Sequence, residues 1–270
     1  MLIYLFDNTF EGLLTAVFDA FFRKEAAKIL HADGGVLLTE GDALPLFAEQ
    51  IHEVETSSEK AQRVWSGLEK RLQKEELRLI TMSWLSELRE LNTPLFRYIC
   101  KVFRASESNA KSITQNFSDE DVLQVSNIAR RVGYEAHRMM QFVRFQKAKD
   151  GTYLGVVSPD HNVLPLVTDH FRDRFGDQPW LLYDAKRRYG YYYNGELING
   201  EVTRVTFDGN EQFDLQTGKL NADLLSEDDT LFQDLWRTYF KAICIKERIN
   251  PKKQLSDMPQ RYWRYMTEKQ

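Results

Sequence analysis

The residues best equipped for chemistry lie between positions 130 and 190. At alternating steps of four and three, Arg130, Tyr134, His137, Gln141 and Arg144 fall on one face of a helix, a row of hydrogen-bond donors around an aromatic ring. Such a row suits phosphate oxygens and a stacked base. The alternative is that Arg130 and Arg144 pair with acidic neighbours while His137 bonds a backbone carbonyl. Arg138 stands next to this row, and Glu135 lies between Arg131 and Arg138 at spacings that favour ion pairing over general-base work. Acid–base chemistry would fall to His137 with Glu135, or to His161 with Asp184. His161 and His170 have aspartates close by, at Asp160, Asp169 and Asp173, but their spacing matches no sharp metal motif, so no metal site is assigned. Asp160-His161-Asn162 reads better as a turn. Lys186, Arg187 and Arg188, set between Trp180–Tyr183 and Tyr189–Tyr193, place three cations among aromatic rings, the combination that single-stranded nucleic acid needs. Tyrosines at alternate strand positions are as often core or edge residues.

These groups need elements to hold them. Leu2 to Phe6 is an apolar run stopped by Asp7-Asn8-Thr9, and Thr9 caps a helix with Leu13, Leu14, Val17, Phe18 and Phe21 at helical spacing, which makes a strand-to-helix unit. Gly34-Gly35 and Pro45 punctuate a short connecting region. Residues 59–91 read as one long helix or two stacked ones, Thr93-Pro94 breaks the pattern, Leu95 to Phe103 resumes it, and Ser106 to Ser118 is a linker. Ser118-Asp119-Glu120-Asp121 then starts a helix predicted over 119–147, whose buried stripe is Val125, Ala129, Val132, Ala136, Met139 and Val143. Beyond Asp150-Gly151, strands are predicted at Thr152–Val157, Trp180–Tyr183, Tyr189–Tyr193, Val202–Phe207 and Gln212–Leu215, with a helix over Leu166–Phe175. Ser226 caps a last helix from Asp228 to about Lys246, before a basic aromatic tail. The class is α+β: an N-terminal strand-helix unit, a largely helical middle, an antiparallel sheet in the second half, and a C-terminal helix and tail. Residues 1–270 read as a single domain, with sub-regions 1–150 mainly helical, 151–225 mainly β and 226–270 forming the last helix and tail.

Composition narrows the classes further. The chain has 270 residues, 43% hydrophobic, and a formal charge of −4, so bulk attraction to nucleic acid is excluded and any such surface must be local. Charge is uneven: net −7 over residues 1–60, +6 over 61–149, −2 over 150–200, −6 over 201–232 and +5 over 233–270. Two basic regions therefore alternate with acidic ones. With only Cys100 and Cys244, the chain has no disulfide framework and no three-cysteine iron–sulfur motif of its own, and a reducing cytoplasm is the expected compartment. No apolar run approaches the roughly 18 residues of a membrane span. There is no phosphate-binding glycine loop, no Gly-x-Ser-x-Gly elbow and no dinucleotide fingerprint.

The stretches YLFDNTFEGLLTAVFDAFF, EAHRMMQFVRFQK, YLGVVSPDHNVLPLVTDHFRDRF, WLLYDAKRRYGYYY and LWRTYFKAICIKERINPKKQLSDMPQRYWRYM together resemble a bacterial family described, without a defined activity, as DNA metabolism or DNA repair proteins. Its members are encoded beside a radical S-adenosylmethionine protein assigned to DNA modification or repair, and a similar domain is fused to uracil-DNA-glycosylase-like proteins. The resemblance puts motif positions on Glu135, His137, Arg138, Phe142, Arg144 and Phe145; on Pro159, Asp160 and His161; on His170, Phe171, Arg174 and Phe175; on Asp184 and Arg187; and on Met258, Pro259, Tyr262 and Trp263. It implies an accessory protein that binds DNA, single-stranded or distorted duplex, and presents it to the radical S-adenosylmethionine partner, which alone would carry the iron–sulfur cluster and S-adenosylmethionine. No cofactor is expected in this chain. Phosphate contacts are then expected from Arg130, His137, Arg138, Arg144, Arg174, Arg187 and Arg188, stacking from Tyr134 and Tyr189, and partner contacts from Tyr262 and Trp263. Two other readings stay open: an enzyme acting on damaged nucleotides by acid–base chemistry, and a module that docks the partner without touching DNA.

Overall fold

The structure, a computed structural model, describes residues 1–31, 34–46, 48–106, 109–196, 200–206, 213–243 and 250–269. The chain divides into two compact units, Met1–Val132 and Gly133–Gln270.

In the first unit the expected strand-helix start is present: β1 (Leu2–Phe6) runs into α1 (Phe10–Phe22), whose first turn is capped by Thr9, its hydroxyl oxygen accepting from the Gly12 amide at 2.9 Å. After the short α2 (Ala26–Ile29), the stretch read as a connecting region contains two further strands, β2 (Gly35–Thr39) and β3 (Gln50–Glu53). Both pair with β1 in parallel, giving the order β2-β1-β3. The region 59–91 is two helices, α3 (Ser58–Arg71) and α4 (Lys74–Trp84), followed by a 3-10 turn at Arg89–Leu91. Pro94 does not break a helix: it lies in the first turn of α5 (Asn92–Arg104), where its missing N–H is of no consequence. The linker region contains the short α6 (Ala110–Thr114). Tyr4, Leu13, Leu37, Leu68, Phe96 and Ile99 are buried at the centre of this unit. Cys100 is buried there too, while Cys244 lies outside the described residues.

The long helix α7 (Glu120–Phe142) contains the division between the units, and its predicted inner stripe is buried at Val125, Ala129, Val132, Ala136 and Met139. It stops five residues short of the prediction, because Phe145–Lys147 leave the helix to form β4 against β5 (Tyr153–Val157). In the second unit β5 is parallel to β6 (Trp180–Asp184), the two joined through α8 (Leu164–Arg174). A hairpin leads from β6 into β7 (Tyr189–Tyr193), and β8 (Val202–Thr206) completes a mostly antiparallel sheet of order β4-β5-β6-β7-β8. One face packs on α8 through Phe171 and Trp180, with ring centroids 6.1 Å apart. Gly155 keeps that face open, since a Cβ there would stand 3.0 Å from the Phe145 ring. The opposite face carries Leu154, Val156 and Tyr183, which pack with Phe213 and Tyr265. The fifth predicted strand is reduced to a single bridge between Phe213 and Leu220, Gln212 and Phe207 lying outside the described residues. The C-terminal region holds α9 (Glu227–Ile243), with the rest of its predicted span to Lys246 outside the described residues, then α10 (Pro251–Asp257) and 3-10 turns at Gln260–Tyr265 and Thr267–Lys269. No helix among the described residues is long and apolar enough to cross a membrane.

Candidate functional site

In the second unit the carboxyl ends of the parallel strands β5 and β6 bring together residues that are far apart in sequence. Between β5 and α8 runs the loop Ser158–Val163, and its backbone is gripped from two sides. On one side Glu135, a residue of α7 only 2% exposed, accepts the Asp160 amide at 3.0 Å on one oxygen and the His161 amide at 2.7 Å on the other. The same carboxylate accepts the Tyr262 hydroxyl at 2.7 Å and the Arg261 guanidinium at 3.0 Å. On the other side Arg187 donates to the Pro159 carbonyl at 3.1 Å and the Asp160 carbonyl at 2.8 Å, and Lys186 reaches that second carbonyl at 2.8 Å. Arg187 is itself held by Asp184, at 2.8 Å, and Asp184 also accepts the Lys186 and Arg187 amides across the β6–β7 turn. Arg261 closes the ring with a 3.0 Å ion pair to the Asp160 side chain, and the Tyr189 hydroxyl donates to Asn162.

The two buried carboxylates respond oppositely to these surroundings. Burial pushes Glu135 up, but the Tyr262 hydroxyl, the His161 and Asp160 amides and Arg261 together outweigh it, so its pKa lies below the ordinary value. For Asp184 burial wins over the Arg187 guanidinium and the two amides, and its pKa lies above the ordinary value. Neither carboxylate is 3% exposed, and each of their four oxygens accepts from a donor of the unit itself. Their chemistry in this arrangement is to immobilise the loop that carries His161.

Several sequence expectations change here. Glu135 does not pair with Arg131 or Arg138 along the helix; it faces inward, and Arg138 donates to the Ser256 carbonyl at 3.2 Å. Glu135 and Asp184 are both buried on donors of the unit itself. Arg187 is held inside the unit rather than offered to phosphate. Arg144 lies past the end of α7 and forms a 2.6 Å ion pair with Glu268, with its guanidinium over the Trp236 ring. That is the acidic-neighbour alternative for this residue. Tyr189 is 4% exposed and covered by Arg204, 4.6 Å above its ring, so it offers no open stacking surface. Tyr262 is buried at 3% exposure and serves the Glu135 cluster, not a docking surface. Trp263 is half-buried, its indole N–H on the Met258 carbonyl at 3.0 Å and the Lys269 ammonium 4.8 Å from its ring.

Other candidates do face outward. Tyr134 is 61% exposed, and His137 and Gln141 are exposed beside it on α7, 2.9 Å apart. Arg174 at the end of α8 is exposed with its guanidinium over Phe175, and Arg188 is exposed at the turn after β6, where its φ of 57° holds it in the left-handed region. Neither has an ion pair among the described residues. Arg130 belongs to the first unit, where it lines a groove of about 430 Å³ with Glu75, Glu76, Leu79 and Met82. His170 is half-buried against Phe171. Among the described residues no group of three or more His, Cys, Asp and Glu side chains is placed to hold a metal ion. A recess of about 400 Å³ on the second unit's other sheet face has apolar walls from Leu154, Leu181, Tyr192 and Phe213, with Lys149 and Asp150 also lining it. Arg261 was not among the expected site residues. Its only sequence signal was its place inside Met258-Pro259-Gln260-Arg261-Tyr262-Trp263, where it occupied an unspecified position.

A family model for a domain of unknown function, DUF4130, matches residues 89–268, two thirds of the chain. The match contains every residue of the cluster around Glu135. No curated protein and no solved structure matches the chain.

Proposed function

The chain belongs to the DUF4130 family, and on that premise we propose that it is a DNA repair or DNA metabolism accessory protein that binds DNA and presents it to a radical S-adenosylmethionine enzyme. The partner class, the association with DNA and the kinship with uracil-DNA-glycosylase fusions rest on the motif resemblance. The observation that carries the reading is the division of labour on α7: Glu135 points inward and is saturated by structural donors, whereas Tyr134, 61% exposed, stands outside with His137 and Gln141. An exposed ring flanked by hydrogen-bonding side chains suits stacking on an unpaired base, and the exposed Arg174 and Arg188 supply cations for phosphate. The engagement of both buried carboxylates favours presentation of DNA over acid–base chemistry on it.

The test is fluorescence anisotropy of labelled single- and double-stranded oligonucleotides with the full chain across a salt series. Salt-sensitive binding is expected, with tighter binding to single strands. Arg174→Ala with Arg188→Ala should lower the magnitude of the salt slope by about 1 to 2, since each phosphate contact contributes about 0.7 for a single strand. Tyr134→Ala should weaken binding by roughly 1 to 3 kcal/mol with the slope unchanged, the signature of lost stacking. Absence of binding at low salt overturns the proposal.

A further inference from the structure

The aromatic tail is turned into the second unit, and the large exposed apolar surface lies instead on α9. One side of this helix is tied down: Asp229 accepts the Lys147 amide at 2.7 Å, the Trp236 indole donates to Glu268 at 3.0 Å, and Arg237 donates to the Thr267 carbonyl at 3.2 Å. The other side carries Leu231, Phe232, Leu235 and Tyr239 at 60%, 62%, 55% and 55% exposure. Leu231, Leu235 and Tyr239 are spaced by four and form a single ridge. With aromatic side chains presenting 150–250 Å² each, the exposed part of Leu231, Phe232, Leu235 and Tyr239 amounts to roughly 450–550 Å², toward the upper end of the largest apolar patch on a typical monomer, where such a patch is often functional.

We propose that a second copy of this chain covers this face, the two α9 helices crossing on a two-fold axis at Leu235. Three properties of the ridge fit a self-complementary contact. Leu235 is its midpoint, so the two-fold sets Leu235 on its own counterpart and Leu231 against Tyr239 of the other copy, filling each half identically. Asp228 is the charged residue on this arc among the described positions, and it stands seven residues from the axis; at 1.5 Å per residue the two copies of Asp228 are roughly 21 Å apart, beyond the screening length of physiological salt. Asp234, beside the axis residue, is neutralised within each copy by Arg237 at 2.7 Å, so like charges do not oppose the pairing. The area per copy is about two thirds of the roughly 800 Å² that each partner buries in a standard interface, which with a polar rim gives a reversible dimer. This inference stands apart from the DNA-binding proposal and shares no residue with it.

Sedimentation velocity of the full chain from about 1 to about 100 μM reads the outcome directly, a range that spans reversible association. A monomer–dimer equilibrium is expected. Leu235→Glu should weaken it by more than about tenfold, as charge at an interface centre does. Because Leu235 is exposed in the single chain, its thermal unfolding should match the wild type at concentrations where both are monomeric, and Leu231→Glu provides a second variant with the same expectation. Phe22→Glu, at a residue 78% exposed in the first unit, should leave the dimer intact. Mixing Leu235→Glu with Leu235→Lys chains should restore association, because the axis places the two substituted positions against each other. A chain that stays monomeric throughout, or a dimer indifferent to both α9 substitutions, overturns the proposal.

Discussion

The cluster around Glu135 makes a quantitative demand. Replacing Glu135 with Ala leaves the Asp160 and His161 amides and the Tyr262 hydroxyl without an acceptor and strips Arg261 of one of its two carboxylates. A hydrogen bond to a charged group is worth about 1.5 to 3 kcal/mol, and breaking a buried pair costs about 3 to 5 kcal/mol. Arg261 keeps Asp160 and reaches solvent, so the guanidinium itself contributes little, and the loss for Glu135→Ala is expected at about 3 to 5 kcal/mol, chiefly from the stranded amides. Tyr262→Phe removes one donor and should cost about 1 kcal/mol. The pair should be coupled by about 1 to 2 kcal/mol in a double-mutant cycle, because the Tyr262 hydroxyl donates directly to the Glu135 carboxylate. Urea unfolding followed by tryptophan fluorescence measures all of these. The pH dependence follows from the lowered pKa: a depressed carboxylate contributes stability that is present above its ordinary value of 4.5 and lost as pH falls through the folded value. The wild type should therefore lose more stability on acidification than Glu135→Gln. A Glu135→Ala cost below about 1 kcal/mol, or additivity with Tyr262→Phe, would refute the assignment of Glu135 as the anchor of the His161 loop.

Two further outcomes are expected of the same region. Arg187→Met leaves Asp184 buried without its guanidinium and should cost about 3 to 5 kcal/mol at neutral pH. Since burial already holds Asp184 above its ordinary pKa, the variant should recover part of that loss as pH falls and the carboxyl protonates, which unfolding curves at neutral and mildly acidic pH would detect. Deleting residues 258–270 removes Tyr262 and Tyr265 from the interior of the second unit, and with them the Arg261 contact to Glu135. Limited proteolysis should then find that unit cleaved early, whereas a tail that served only as an external docking segment would leave it protected.

What the sequence announced, and what it concealed, separates by the distance over which the determining interactions act. The start of α7 was legible because Ser118, Asp119 and the acidic first turn are local signals, and the buried stripe was legible because helical spacing is local as well. Its end was not. Phe145, Gln146 and Lys147 continue a helical pattern, yet they pair with β5, and Asp229, 82 residues away, takes the Lys147 amide. The strands β2 and β3 leave no local mark for a related reason: four- and five-residue parallel strands have no hairpin turn to announce them, and their partner β1 is more than 30 residues distant.

The site shows the same effect more sharply. Spacing along α7 suggested that Glu135 would pair with the arginines three and four residues away, because those are the neighbours a helix supplies by itself. The fold supplies others, from 25, 26, 126 and 127 residues along the chain, and a saturated buried carboxylate is more stable than an exposed helix pair worth a few tenths of a kcal/mol. Motif positions at Glu135, Asp160, His161, Asp184, Arg187 and Tyr262 thus converge on one loop backbone from four separate stretches of sequence. Residues chosen for their chemistry prove to hold the loop, and the exposed groups Tyr134, His137, Arg174 and Arg188 are left as the ones that face solvent. If the function is exerted by contact, substitutions in the first set should act on stability before binding, and substitutions in the second should act on binding alone.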